Sequence, residues 1–77
     1  MFDVVAVCPM DRDWEARQEA LVLAAGKRYT QSVADYKEVV YLWVVPTLKG
    51  ARGVQRRIRK LGEESIDVAI KEHTSCR

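Results

Sequence analysis

Histidine, cysteine and proline are scarce in this chain of 77 residues, which contains one, two and two of them respectively. The spacing of Cys8 and Cys76 fits no zinc-binding or redox motif. His73 stands alone, and no serine, cysteine or lysine has a base beside it in the sequence, so that no catalytic pair can be recognised. We therefore expect a protein that is not an enzyme and that binds no metal or cofactor.

Long hydrophobic runs are also absent. No stretch reaches the roughly 20 apolar residues that a membrane-spanning helix needs, and the start, MFDVVAVCPM, lacks the basic segment of a signal peptide. Apolar residues make up 48% of the chain and charged residues 31%, a balance typical of folded soluble domains. We expect a single domain over residues 1–77, with 74–77 as a loose C-terminal tail, in the reducing cytoplasm and with no membrane partner.

Short segments with distinct apolar patterns predict six elements. Strands are expected at residues 2–8, 29–35, 37–45 and 65–73, and helices at 14–28 and from about 49 to 61. In the first helix the apolar stripe is Ala16, Ala20, Leu23 and Ala24, widened by Leu21 and Ala25. In the second it is Ala51, Val54, Ile58 and Leu61, with Thr47 as the N-terminal cap and Gly62 as the terminator.

The resulting order, β-α-β-β-α-β, predicts an α+β fold of the ferredoxin-like split βαβ type. Its four-stranded antiparallel sheet carries both helices on one face. The segments FDVVAVC and KEVVYLWVV are the most apolar strands, which suits the two central positions of such a sheet.

The first candidate site is the second helix. Its six basic residues are Lys49, Arg52, Arg56, Arg57, Arg59 and Lys60, and most of them fall at helical spacing. The arginine guanidinium matches the geometry of phosphate, so this surface is expected to contact nucleic acid or another polyanion. The alternative is an ordinary solvated face, in which Glu15 and Glu19 of a parallel first helix pair with Arg52 or Arg56.

The second candidate site is the uncovered face of the sheet. Val39, Tyr41, Trp43 and Val45 share one side of the third strand, and we expect that side to be exposed and to form a dimer or partner interface. The Tyr-x-Trp spacing resembles that of the aromatic residues in RNA-recognition motifs, which share this topology. VVYLWVVP lacks the basic-Gly opening of that motif, so dimerisation is the preferred interpretation. The alternative places Tyr41 and Trp43 in the core.

The third candidate is an anion pocket. We expect the two central strands, the first and the third, to run parallel. The loops that follow them would then meet at one edge of the sheet, where Arg12, Lys49 and Arg52 would converge near two helix N-termini. The segment KGARG does not have the spacing of a phosphate-binding P-loop.

Taken together, these features predict a small non-enzymatic binding protein. We expect a homodimer that contacts nucleic acid through its basic second helix. The alternative is a regulator or inhibitor that binds an acidic protein surface, for example on a nucleic-acid-processing machine, without touching nucleic acid.

Overall fold

The computed structural model describes residues 1–62 and 64–72, so the expected tail at 74–77 lies outside the described residues. The six elements are β1 (Phe2–Pro9), α1 (Trp14–Ala25), β2 (Thr30–Ala34), β3 (Glu38–Val45), α2 (Leu48–Arg59) and β4 (Asp67–Glu72). This order and the single four-stranded sheet confirm the α+β, ferredoxin-like split βαβ arrangement. Within the described ranges, neither helix is long and apolar enough to span a bilayer.

The strands lie in the order β2-β3-β1-β4, and every neighbouring pair is antiparallel. The expectation that the two central strands run parallel is therefore wrong. The crossover through α1 returns β2 in the direction of β1, and the hairpin then reverses the chain, so that β3 runs against β1. In the β1–β3 register, Phe2 lies opposite Val45 and Pro9 lies opposite Glu38.

The turn between β2 and β3 confirms the hairpin that the sequence indicates around Asp35 and Tyr36. Both residues have positive φ angles, 53° and 57°. These values lie in the left-handed region that tight hairpin connections use, and the turn holds β2 and β3 in register from Thr30↔Leu42 to Ala34↔Glu38.

One side of the sheet packs against the helices and forms the core. Side chains that are nearly or fully buried come from alternate positions of β1, β3 and β4 and from both helices: Val4, Ala6, Cys8, Leu21, Val39, Tyr41, Trp43, Ala51, Val54, Ile58 and Val68. The predicted stripe of α2 is confirmed, since three of its members are in this list and Leu61 packs against the cluster. Burial of this apolar surface is the main stabilising term for so small a domain.

The predicted stripe of α1 is wrong in its orientation. Leu23 is 88% exposed, whereas Leu21 is buried. The helix carries apolar residues on nearly all sides, so periodicity alone does not fix its rotation. Hydrogen bonds fix the rotation of the helix. The Tyr41 hydroxyl donates to Gln18, and Arg17 donates to the Pro9 carbonyl and to the Asp11 carboxylate.

Two glycines of α2 have opposite surroundings, which gives a stability test. A Cβ atom at Gly50 would lie 2.8 Å from Val45 Cγ1 and 3.1 Å from Thr47 Oγ1, whereas at Gly53 nothing lies within 4 Å. We expect Gly53→Ala to raise the free energy of unfolding by about 0.5–1 kcal/mol, because alanine favours helix. Gly50→Ala is expected to lower it by about 1–3 kcal/mol through overpacking. Urea unfolding followed by circular dichroism measures both, and equal stabilisation would contradict the close contact between α2 and Val45.

Candidate nucleic-acid interface

Helix α2 lies across β1, β3 and β4 and begins where the sequence predicts. The Thr47 side chain accepts a hydrogen bond from the Gly50 backbone N–H at 3.1 Å, which caps the helix. Gly62, with φ of 71°, follows the last turn in the left-handed conformation that ends many helices. Since Ala51, Val54 and Ile58 are buried against the sheet, the opposite side of α2 faces solvent.

That opposite side carries the positive charge. The basic residues predicted for this site are all exposed: Lys49, Arg52, Arg56, Arg57, Arg59 and Lys60. At about 100° per residue, all of them except Arg57 fall within an arc of about 100° that points away from the core. We call these five residues the basic ridge. Arg57 lies to one side of it.

The acids of α1 do not neutralise the basic ridge. In the part of the chain that the structure describes, the single salt bridge joins Arg17 to Asp11, so Glu15 and Glu19 make none with Arg52 or Arg56. The helices are also antiparallel, not parallel as expected, because α1 follows the end of β1 at Pro9 and α2 follows the end of β3 at Val45, opposite Phe2. The interpretation of the ridge as a salt-bridged face is therefore wrong.

Shallow grooves separate the ridge side chains. One, of about 220 Å³, is lined by Arg52, Gln55, Arg56 and Arg59. A second, of about 500 Å³, is lined by Leu48, Lys49, Arg52, Gly53 and Arg56. Gln55 Nε2 donates to the Val68 carbonyl at 3.4 Å, which ties the side of the first groove to β4. Concave sites between guanidinium groups suit phosphate oxygens, which accept paired N–H bonds.

The structure does not form the predicted anion pocket. Arg12 follows the end of β1 at Pro9, whereas Lys49 and Arg52 follow the end of β3 at Val45. Because β1 and β3 are antiparallel over eight residue pairs, these two loops lie at opposite ends of the sheet, about 20 Å or more apart. Lys49 and Arg52 remain together on the basic ridge.

The predicted aromatic interface is also wrong, since its side chains face the helices. Val39, Tyr41 and Trp43 are 0%, 1% and 3% exposed, and Val45 is half-buried against the same core. The side chains that point to the uncovered face of β3 are instead Val40, Leu42 and Val44. The Tyr-x-Trp spacing resembles that of RNA-recognition motifs, but in this chain both rings are buried.

The polar tips of the buried rings explain this orientation. Tyr41 Oη donates to Gln18 Oε1 and Trp43 Nε1 donates to the Gly26 carbonyl, both at 3.1 Å. Tyr29 completes the aromatic cluster, with ring centroids 5.2 Å from Tyr41 and 5.6 Å from Trp43. Burial raises the pKa of the Tyr41 hydroxyl, because the phenolate would lose its hydration.

The connection between β1 and α1 contains an anchor that sequence reasoning missed. Two Arg17 nitrogens donate to the Asp11 carboxylate at 3.1 and 3.0 Å, and one of them also donates to the Pro9 carbonyl. The hydrogen bonds from Arg17 lower the pKa of the Asp11 carboxyl. Asp13 occupies the N-cap position without a side-chain cap bond, so the acids of this loop do not both act as caps. The spacing of Asp11 and Arg17, six residues apart, carried no recognised signal.

No protein-family model matches the chain, and no curated protein or solved structure shows a significant similarity to it. Among the described residues, no cluster of three or more histidine, cysteine, aspartate or glutamate side chains is placed to hold a metal ion. The basic ridge brings five exposed cationic side chains together on one face of α2.

Proposed function

We propose that this protein binds nucleic acid through the basic ridge of α2, without catalysing a reaction. The observation that supports this proposal most directly is the state of the ridge side chains. All are exposed, and within residues 1–62 and 64–72 none makes a salt bridge. Residues 48–60 contain no acid at all, so the positive potential of this face is not cancelled within its own helix.

The spacing of the ridge favours contact with a phosphate backbone. Successive steps from Lys49 to Arg52, Arg56 and Arg59 rise by about 4.5, 6 and 4.5 Å along the helix axis, so the long side chains can reach successive phosphates. Such contacts position a protein on nucleic acid without reading its sequence. We therefore expect low sequence specificity.

The aromatic residues favour a duplex over a single strand as the ligand. Proteins that bind single strands stack the bases on exposed rings, and here Tyr41 and Trp43 are buried. Tyr36 is exposed, but it lies in the turn between β2 and β3 and not on α2. The basic ridge itself contains no aromatic residue. A double-stranded backbone offers phosphates without requiring base stacking.

A second candidate partner is an acidic protein surface, as expected for a regulator or inhibitor of a nucleic-acid-processing machine. One observation favours it. Leu48, beside Lys49 at the start of the ridge, is 38% exposed and lines the larger groove. An apolar side chain at this place contributes to contact with a protein and little to contact with phosphates.

Charge reversal on the ridge tests the proposal. We expect Arg56→Glu combined with Arg59→Glu to weaken binding to a duplex of about 20 base pairs by on the order of 100-fold, because two phosphate contacts become repulsive. Fluorescence anisotropy at low salt measures the affinity. The matched control, Lys27→Glu with Lys37→Glu, changes the net charge equally at two exposed residues outside α2.

The control separates a local site from net charge. It should weaken binding by no more than a few-fold; an equal loss in both double variants would refute the ridge as the binding site. If the wild-type protein does not bind duplex but binds an acidic protein through the same two arginines, the second candidate replaces the first.

A further inference from the structure

The edge of the sheet at β2 lacks the usual protection of an edge strand. β2 is the terminal strand of the order β2-β3-β1-β4, so no strand among the described residues pairs with its outer side. Thr30–Ala34 contain no charged residue and no proline, and residues 30–33 are exposed. The other edge strand, β4, carries Asp67, Lys71 and Glu72, and charged side chains discourage pairing at an edge. The outer backbone groups of β2 are therefore open to an added strand.

One side of helix α1 faces this edge. The buried Leu21 marks the side of α1 that packs on the sheet. Arg17 lies about 40° to one side of Leu21 around the helix and reaches the Pro9 carbonyl at the end of β1. Gln18 lies about 60° to the other side and accepts a hydrogen bond from Tyr41 of β3. Its side of the helix therefore faces away from β1 and, in the strand order of the sheet, towards β2.

That side of α1 carries a groove and two acids. The groove has a volume of about 320 Å³ and is lined by Gln18, Glu19, Val22 and Leu23. Glu15 lies one turn before Glu19; both acids are exposed, and in the described ranges neither makes a salt bridge. On β2, Val33 points to the helix side because it lies opposite the buried Val39, yet it is 47% exposed. Apolar and acidic side chains thus flank the outer edge of β2 together. We call this groove, with Glu15, the α1 groove.

The acids decide which strand can pair with this edge. Antiparallel pairing of β2 with β2 of a second copy requires a two-fold axis normal to the sheet, which keeps both α1 helices on the same side. The two α1 grooves would then face each other. Glu15 and Glu19 of one copy would approach the same acids of the other, and like charges oppose association. A strand that carries lysine or arginine has the complementary charge.

We infer that the outer edge of β2 and the α1 groove bind an extended basic segment of another protein, which adds a strand to the sheet. Alternate side chains of such a strand point to the helix side and lie about 6.5–7 Å apart. Glu15 and Glu19 are about 6 Å apart along the helix axis, so two alternate basic side chains match them. A third alternate side chain, next to the basic pair and apolar, packs on Val22.

A fluorescent peptide of about seven residues tests the inference. It has one valine and two lysines at successive alternate positions, with threonine between them, and a second peptide has the reverse order because an added strand runs in either direction. Anisotropy should give a dissociation constant of roughly 10–100 µM for one of the two. Glutamate in place of both lysines should weaken binding at least about tenfold. No binding of either lysine peptide up to about 1 mM overturns the inference.

Methylation of the peptide backbone distinguishes an added strand from attraction between charges alone. In an added strand, alternate amides point to β2 and the remaining amides point to solvent. A peptide that is N-methylated on one alternate set should therefore lose binding, whereas methylation of the other set should preserve it. Equal effects of the two methylation patterns would mean that the segment does not join the sheet.

Exchange of charge locates the site on this chain. Glu15→Lys with Glu19→Lys should weaken binding of the lysine peptide about tenfold or more, and should bind the glutamate peptide better than the wild type does. That gain cannot result from misfolding. Glu64→Lys with Glu72→Lys is the matched control, since both residues are exposed and lie outside α1 and β2. An equal effect of the control, or no gain for the glutamate peptide, contradicts the site.

The basic ridge provides the test of independence from nucleic-acid binding. Because the ridge lies on α2 and the acids lie on α1, Arg56→Glu with Arg59→Glu should change peptide affinity by no more than a few-fold while duplex binding is lost. Failure of the duplex to bind the wild type leaves the peptide result intact, and the reverse also holds. Loss of peptide binding in this double variant would place the segment on α2 and overturn the inference.

Discussion

Trp43→Ala is expected to lower the free energy of unfolding by about 3–5 kcal/mol, the usual cost of removing a buried tryptophan. The indole is 3% exposed, donates to the Gly26 carbonyl and contacts both Tyr29 and Tyr41. A domain of this length has a total stability of about 4–12 kcal/mol, so this variant should be partly or fully unfolded at 37 °C. Denaturant unfolding followed by far-ultraviolet circular dichroism measures the loss.

The neighbouring residue provides the control. Leu42 points to the sheet face opposite the helices and is only partly buried, so Leu42→Ala should cost clearly less than Trp43→Ala, about 1–2 kcal/mol. Trp43→Phe keeps a ring but leaves the Gly26 carbonyl without its donor, and should cost about 1–3 kcal/mol. A larger loss for Leu42→Ala than for Trp43→Ala would mean that the two faces of β3 are exchanged.

The faces of β3 show where sequence reasoning reached its limit. Hydrophobic period and turn residues predicted all six elements, the Thr47 cap and the apolar stripe of α2. Residues 39–45 are apolar at every position, however, so alternation could not show which set is buried. One signal was present: Glu38 shares a face with Val40 and Leu42, which marks that side as the outer one.

The direction of each strand follows from the β-α-β-β-α-β topology alone. Strand direction in turn determines which loops lie at the same end of the sheet. With β1 and β3 antiparallel, Arg12 is separated from Lys49 and the anion pocket is lost. The prediction of the basic ridge did not depend on strand direction, because all of its residues lie on one helix and their relative positions follow from helix geometry. The hydrogen bonds of Gln18 and Arg17, which fix the rotation of α1, join residues whose proximity no local pattern reveals.

Raising the salt concentration is expected to have the largest effect on ligand binding. If the five residues of the basic ridge neutralise about five phosphates of a duplex, the logarithm of the affinity should fall with the logarithm of the salt concentration at a slope of about −4.5. Between about 50 and 200 mM salt this slope predicts a loss of about 500-fold. Anisotropy titrations at several salt concentrations measure it directly.

Variants of the basic ridge give the internal check on this slope. Arg56→Ala with Arg59→Ala removes two contacts and should reduce the magnitude of the slope by about 2, whereas Lys27→Ala with Lys37→Ala should leave it unchanged. A slope near zero in the wild type, or an equal change in both double variants, would rule out the ridge as a phosphate-binding surface.

The layered architecture determines how one chain would engage a ligand. The basic ridge lies on the outer side of α2, and the sheet lies behind the helices. The five cationic side chains therefore all point to the same side of the molecule, and the opposite surface is the uncovered face of the sheet. Through the ridge, a single copy of this chain can lie along one duplex but cannot bridge two of them.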